Sequence, residues 1–315
     1  MQKDWKLTVV GIGGIGGLLA APLIRRYGES VSLVARGKRG AALRENGLSL
    51  HSDVYGDFTV RPAAVAQTPA ELPVQDVILV CVKNGDLPDT ARQIAPIVGP
   101  ETIVLTVMNG VTAGQVLRDA LSRGIVLESV IYTVSSAGAD YAITQQGGFT
   151  QIYTGAAPGD ETGLAAARTA AEILTGAGIE CHVEPDVRTA IWKKFVLNCA
   201  YNVATARWGC PIGGIKSSPA RMEDCRALMA EARSVGTACG VPLAEDLVEQ
   251  QLRRIEKTSD SSASSLSRDF AKGRAGELEV FCGDVVRMAQ AHGVAVPVTR
   301  AYYDALLKIS AGFSR

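Results

Sequence analysis

Apolar and polar positions in the first half of the chain fall into short runs of two kinds. "KLTVV" (6–10), "SVSLVAR" (30–36), "QDVILVCVK" (75–83) and "TIVLTVMN" (102–109) are near-continuous apolar stretches, most of them ending in polar residues. Such runs suit parallel strands buried on both faces. "GGLLAAPLIRRYG" (16–28), "LPDTARQIAPIVG" (87–99) and "VTAGQVLRDALSRG" (111–124) read as helices, with Pro22 an irregularity in the first. Alternating strand and helix predicts a parallel sheet with helices on both faces. The segment 125–155 is hairpin-like, with "AGAD" and "QQGG" as its turns. A helix over 163–178 and a last strand over 179–185 complete this half.

After Pro185 the pattern becomes helical throughout. Helices are expected over 186–208, 219–240, 244–257, 266–292 and 299–310, with the polar "SDSSASS" (259–265) between two of them. Gly240 and Pro242 stop the second. The expected fold class is therefore α/β, an N-terminal Rossmann-type doubly wound sheet over 1–185 followed by an all-α domain over 186–315. A chain of 315 residues exceeds the size that one core usually serves. No uninterrupted apolar run reaches the roughly 18 residues of a membrane span, so no membrane partner is expected.

Charge and cysteine usage narrow the function classes. Lys+Arg and Asp+Glu number 32 each. A nucleic-acid binder needs a basic excess to neutralise phosphates, so none is expected. The 7 cysteines are scattered and form no C-x-x-C pair. That argues against a disulfide framework or a structural zinc and fits a reducing cytoplasm. The 3 histidines, His51, His182 and His292, stand away from every motif, and no His/Cys/carboxylate cluster suggests a metal.

"VVGIGGIGG" places Gly11-x-Gly13-x-x-Gly16 between a strand and a helix. In that setting the glycines permit a tight turn, close approach to a pyrophosphate and close helix–strand packing. The phosphate then faces free N–H groups at the helix N-terminus. The second strand ends "LVARGKRG", with Arg36, Lys38 and Arg39 and no carboxylate. A carboxylate there would read a ribose 2′-hydroxyl, whereas a cationic fork suits a 2′-phosphate. NADP(H) is therefore the expected cofactor, with Arg36 the expected contact. Lys83 and Asn109 end two predicted parallel strands, the edge where open α/β sheets bind ligands.

One helix of the second half, "WKKFVLNCAYN" (192–202), is mostly apolar but carries Lys194, Asn198 and Asn202 at every fourth position. Steps of four turn a helix by only about 40°, so the three share one stripe. Asparagine is a poor helix former, which points to specific hydrogen-bond work. A lysine in such a place can serve as a general acid when desolvation or a nearby cation lowers its pKa.

With these residues in view, the chain resembles the ketopantoate reductase family over nearly its whole length. The likeness runs through "GIGGIG", the arginine after the second strand, "VCVKNGD", "VMNGV", "IWKKFVLNCAYNVATARWGCP", "SSLSRD", "GELEVFCGDVV" and "HGVAVP", in the family's order. The resemblance implies NADPH-dependent reduction of 2-dehydropantoate to (R)-pantoate in pantothenate biosynthesis. It implies that Lys194 protonates the ketone oxygen. It places Asn198 and Asn202 on the substrate's hydroxyl and carbonyl region, and Ser264 on its carboxylate. It sets Glu277 beside the lysine and cofactor, and Lys83 and Asn109 at the cofactor–substrate junction. Gly11, Ile12, Gly13, Gly14, Ile15 and Gly16 would hold the pyrophosphate. The implied partner is a small 2-oxo acid, and a homodimer stays open.

The chain departs from the family pattern at Ile212, where an asparagine can stand, and in "SSLSRD" and "GRAGE". Reduction of another 2-oxo acid therefore stays open beside ketopantoate. A β-hydroxyacid dehydrogenase and a non-catalytic NADPH sensor are the rivals from further away. Read without the resemblance, Ser264 is a helix cap and Glu277 a surface carboxylate.

Overall fold

The computed structural model describes residues 5–313. The ends of the two expected spans, 1–4 and 314–315, lie outside the described residues. The chain divides into two units, the first ending at Val187 and the second starting at Arg188.

Along the first unit run β1 (Leu7–Val10), α1 (Gly14–Tyr27), β2 (Val31–Val34), α2 (Gly37–Asn46), β3 (Leu48–Ser52), β4 (Phe58–Val60), β5 (Ala64–Ala66), β6 (Gln75–Val80), α3 (Leu87–Ile94), β7 (Val98–Thr106), α4 (Ala113–Ala120), β8 (Ile125–Ala137), β9 (Ile143–Gly155), α5 (Glu161–Gly176) and β10 (Glu180–Glu184). The strands lie in the order β4-β3-β9-β8-β7-β6-β1-β2-β5, with β10 beside β9. From β5 through β2, β1, β6 and β7 to β8 every pairing is parallel. The long hairpin of β8 and β9 then turns the sheet antiparallel.

The strand runs are apolar because both faces are covered. Leu7, Val9, Val77 and Leu79 pack on one side with Leu18, Leu19 and Leu23 of α1 and Ala167 and Leu174 of α5. Val10, Ile78, Val80 and Val104 pack on the other with Leu87 and Ile94 of α3 and Leu117 of α4. Burying one such leucine is worth about 2 kcal/mol. This is the doubly wound arrangement that the alternation predicts.

One local feature differs from the sequence reading, and two more add to it. "QQGG" lies inside β9 rather than at a turn. There the Gln145 side chain is buried, and its Nε2 donates to the carbonyls of Gly147 at 2.6 Å and Phe149 at 3.3 Å. The amide thus satisfies main-chain groups that the shifted β8–β9 register leaves unpaired. The basic segment after β2, for which the sequence reading gave no element, opens α2, and the short strands β3 to β5 follow it. Pro22 sits buried inside α1, which continues through it to Tyr27 without the main-chain bond a proline cannot donate.

The second unit contains α6 (Val187–Trp208), α7 (Ile212–Lys216), α8 (Pro219–Ala238), α9 (Leu247–Lys257), α10 (Ser265–Ala271), α11 (Asp284–His292) and α12 (Pro297–Ser310). The single helix expected over 266–292 is divided. Gly273 (φ +66°) and Gly276 (φ +55°) take left-handed conformations that end α10. A π-helical turn, Glu279–Gly283, then leads into α11. The serine-rich stretch is tied down: Ile212 N–H donates to the Ser262 carbonyl at 2.9 Å and Gly213 N–H to that of Asp260 at 3.0 Å. Among the described residues no helix is long and apolar enough to cross a membrane.

Candidate active site

The glycine loop leaves β1 at Gly11, whose φ of +89° only glycine adopts readily. A Cβ at Gly11 would lie 2.7 Å from Val82 Cγ1, and one at Gly16 would lie 2.0 Å from the Gly11 carbonyl oxygen. Both glycines are therefore demanded by packing within the unit. Gly13 is different: a Cβ there would meet no atom within 4 Å. Gly13 is also the N-cap of α1, with no side-chain cap and no acidic residue in the first turn. Open space, uncapped N–H groups and a helix N-terminus together suit an anion that approaches the main chain closely.

Three strand exits surround this loop. Val82, just past β6, presses on Gly11. Asn84 Nδ2 donates to the Asn109 carbonyl at 2.9 Å, joining the segments after β6 and β7 that carry Lys83 and Asn109. Lys83 is exposed and Asn109 half-buried. Past β2, Arg36 is the exposed N-cap of α2. Arg39, one turn on, donates to the Ile12 carbonyl of the glycine loop. Burial presses the Arg39 pKa down, with Tyr141 acting in the opposite sense.

In the second unit α6 carries the predicted stripe. Lys194 and Asn198 are half-buried, and Asn202 is only 4% exposed. Burial pushes the Lys194 ammonium down from its ordinary 10.5 to about 8, and the Glu277 carboxylate pulls the other way. Glu277 is half-buried and stands just before the π-helical turn. It comes from far along the chain, yet its charge acts on Lys194. The Asn198 amide makes no hydrogen bond among the described residues. Asn202 is engaged: its Oδ1 accepts from Ser265 Oγ at 3.1 Å and from Leu266 N–H at 3.3 Å. Ser264, 2% exposed, is the N-cap of α10. Its hydroxyl lies 2.7 Å from Thr205 Oγ1, which is also 2.7 Å from the Tyr201 carbonyl, and accepts from Ser267 N–H at 3.0 Å.

Burial lifts the Cys199 thiol, next to Asn198, well above its usual range. Among the described residues no group of His, Cys, Asp and Glu is placed to hold a metal ion.

The family model described as Ketopantoate reductase PanE/ApbA matches residues 7–159, and that described as Ketopantoate reductase PanE/ApbA C terminal matches residues 186–310. The chain belongs to the ketopantoate reductase family. The 2-dehydropantoate 2-reductase of Caulobacter vibrioides is 30% identical, over 97% of this chain and 99% of that one. The crystal structure of a PanE/ApbA family ketopantoate reductase from Ralstonia eutropha JMP134 matches with a TM-score of 0.87 at 28% identity, covering 97% and 98% of the two chains. That of 2-dehydropantoate 2-reductase from Methylococcus capsulatus gives 0.86 at 29% identity, covering 98% of each. Ketopantoate reductases are pyridine-nucleotide-dependent oxidoreductases.

Within this ketopantoate reductase scaffold, sequence reasoning missed Asn84, Thr205 and Ser265. Thr205 carried a signal, since it follows Asn202 by one helical step along the same face. Asn84 and Ser265 lie inside the quoted "VCVKNGD" and "SSLSRD" segments, but their hydrogen-bond partners are distant in sequence and so could not be read from it.

Proposed function

We propose that the chain is a cytoplasmic, NADPH-dependent reductase that converts 2-dehydropantoate to (R)-pantoate in pantothenate biosynthesis. Residues 1–185 serve as the dinucleotide-binding domain and 186–315 as the helical substrate and catalytic domain. The glycine loop fits the cofactor: Gly13 opens on free space, and the helix behind it is uncapped. Gly11, Ile12, Gly13, Gly14, Ile15 and Gly16 would hold the pyrophosphate and Arg36 the 2′-phosphate. Lys83, Asn109 and Glu277 would complete the cofactor contacts. When bound, NADPH supplies the hydride that adds to the C2 carbonyl carbon and leaves as NADP⁺.

The chain's own residues do the rest. Lys194 Nζ gives a proton to the C2 oxygen as negative charge develops there, then regains one from solvent. The balance is ketone, NADPH and one proton in, hydroxyl and NADP⁺ out. Glu277 favours the charged lysine and so keeps the acid loaded. Asn109, Asn198 and Asn202 orient the substrate, Asn202 through its amide NH₂ because its Oδ1 is occupied. Ser264 contributes its hydroxyl to the carboxylate.

The observation that carries this reading is Lys194: a half-buried ammonium pressed to about 8 with a carboxylate acting on it. At neutral pH that group is charged yet gives up its proton readily. The test is NADPH consumption with 2-dehydropantoate and a panel of other 2-oxo acids, for wild type and Lys194→Ala. Loss of about 100-fold or more in kcat is expected for the variant. Normal turnover by Lys194→Ala would remove the acid assignment. A second 2-oxo acid stays as an alternative substrate because Ile212, where the family pattern allows an asparagine, is an apolar side chain with 0% exposure. Selective turnover of another panel member would favour it.

A further inference from the structure

The carbonyls of the glycine loop are accounted for one by one. Gly11 O accepts from Gly13 N–H at 3.0 Å and Gly13 O from Gly17 N–H at 2.9 Å. Gly14 O accepts from Ser135 Oγ at 2.9 Å. Ile12 O accepts from the Arg39 guanidinium. Arg39 lies in the first turn of α2, directly beyond β2, the strand whose exit reads the adenosine ribose in a βαβ dinucleotide site.

Arg39 is also held from a second side. Its guanidinium carbon stands 4.8 Å from the centre of the Tyr141 ring. Tyr141 lies in the turn between β8 and β9 and is, among the described residues, the non-glycine residue with positive φ, at +69°. A side chain there costs about 1 kcal/mol or more in local strain. The strained turn delivers an aromatic face to the arginine. Arg36 and Lys38, by contrast, are exposed. An exposed cation loses side-chain freedom when it grips a ligand, whereas one already held loses far less. Ile12 uses one of five guanidinium N–H donors, so Arg39 keeps most of its fork.

We infer that Arg39, fixed between the Ile12 carbonyl and the Tyr141 ring, is a second cation for the 2′-phosphate of the dinucleotide and sets the preference for the phosphorylated cofactor together with Arg36. This rests on the dinucleotide reading of the first unit. The ligand chemistry is an adenosine 2′-phosphate, so the fragment 2′,5′-ADP is a sufficient probe.

The experiment is calorimetric binding of NADPH, NADH, 2′,5′-ADP and 5′-AMP to the full chain, for wild type, Arg39→Ala, Arg39→Lys and Tyr141→Leu, with melting temperatures alongside. Arg39→Ala is expected to weaken NADPH and 2′,5′-ADP about tenfold or more while NADH and 5′-AMP change little. Arg39→Lys should recover part of the loss, and Tyr141→Leu should lose affinity in the same selective way. An equal loss for phosphorylated and unphosphorylated nucleotides would overturn the inference and leave Arg39 a buttress of the loop. No loss at all would also overturn it. A wild-type chain that binds no NADPH would sink the dinucleotide reading itself. Binding by wild type with an unselective Arg39→Ala would sink this inference alone.

Discussion

Replacing Glu277 by glutamine removes the carboxylate that acts on Lys194 and keeps the shape of the side chain. The wild-type lysine sits about 2.5 pK units below its ordinary 10.5, at about 8, a bias of about 3 kcal/mol toward the neutral amine. In the proposed mechanism its proton goes to the substrate, so activity is expected of the protonated form. With a pKa of about 8 that form is about 90% populated at pH 7 and about 10% at pH 9. The kcat profile of wild type should therefore fall on the basic side with a midpoint near pH 8. Burial lowers this pKa and Glu277 raises it. Glu277→Gln should let burial act unopposed and move the basic limb to lower pH by about one unit. The assay is steady-state kcat against pH for both proteins at saturating substrate. The position of the limb decides, since its height also registers any contact of Glu277 with cofactor. A limb that stays at the wild-type pH, or moves to higher pH, would refute the coupling of Lys194 to Glu277.

Other outcomes follow from the same geometry. Lys194→Met should be inactive yet more stable than wild type at pH 7 by up to about 3 kcal/mol, read from urea midpoints. The gain should vanish as pH rises from 8 through 10.5, where the folded lysine is already neutral and the unfolded one becomes so. Gly13→Ala should keep the melting temperature but lose NADPH affinity by about tenfold or more, because its Cβ meets only open space. Gly16→Ala should lose both, since its Cβ would lie 2.0 Å from the Gly11 carbonyl oxygen. Glu231→Ala should destabilise the second unit by about 2 kcal/mol in urea titration. That carboxylate accepts from Val298 N–H, Thr299 N–H and Thr299 Oγ1 at 2.8, 2.7 and 2.6 Å at the start of α12.

Much of the fold was legible because its strong elements obey one period each. β1, β6 and β7 are buried on both faces and read as unbroken apolar runs. The glycine loop was legible because steric demand at Gly11 and Gly16 leaves no other residue type available. The segment after β2 was not, because β3, β4 and β5 are only 5, 3 and 3 residues long. Runs that short carry little periodicity. The division of 266–292 depends on left-handed backbone at Gly273 and Gly276, and glycine inside a helical pattern does not announce which conformation it takes. In the candidate site the stripe of Lys194, Asn198 and Asn202 followed from spacing alone. The action of Glu277 on Lys194 did not, since periodicity relates neighbours on one element and not side chains on separate ones. For the same reason the engagement of Asn202 with Ser265 and Leu266 was invisible in the sequence.

The central claim is that hydride reaches C2 of a 2-oxo acid on this chain. Incubation of the enzyme with 2-dehydropantoate and NADPH deuterated at the transferring carbon, followed by mass spectrometry and NMR of the product, addresses it directly. The expected result is pantoate of R configuration with one deuterium on C2. Product without deuterium at C2, or no product from a chain that binds NADPH, would contradict the account.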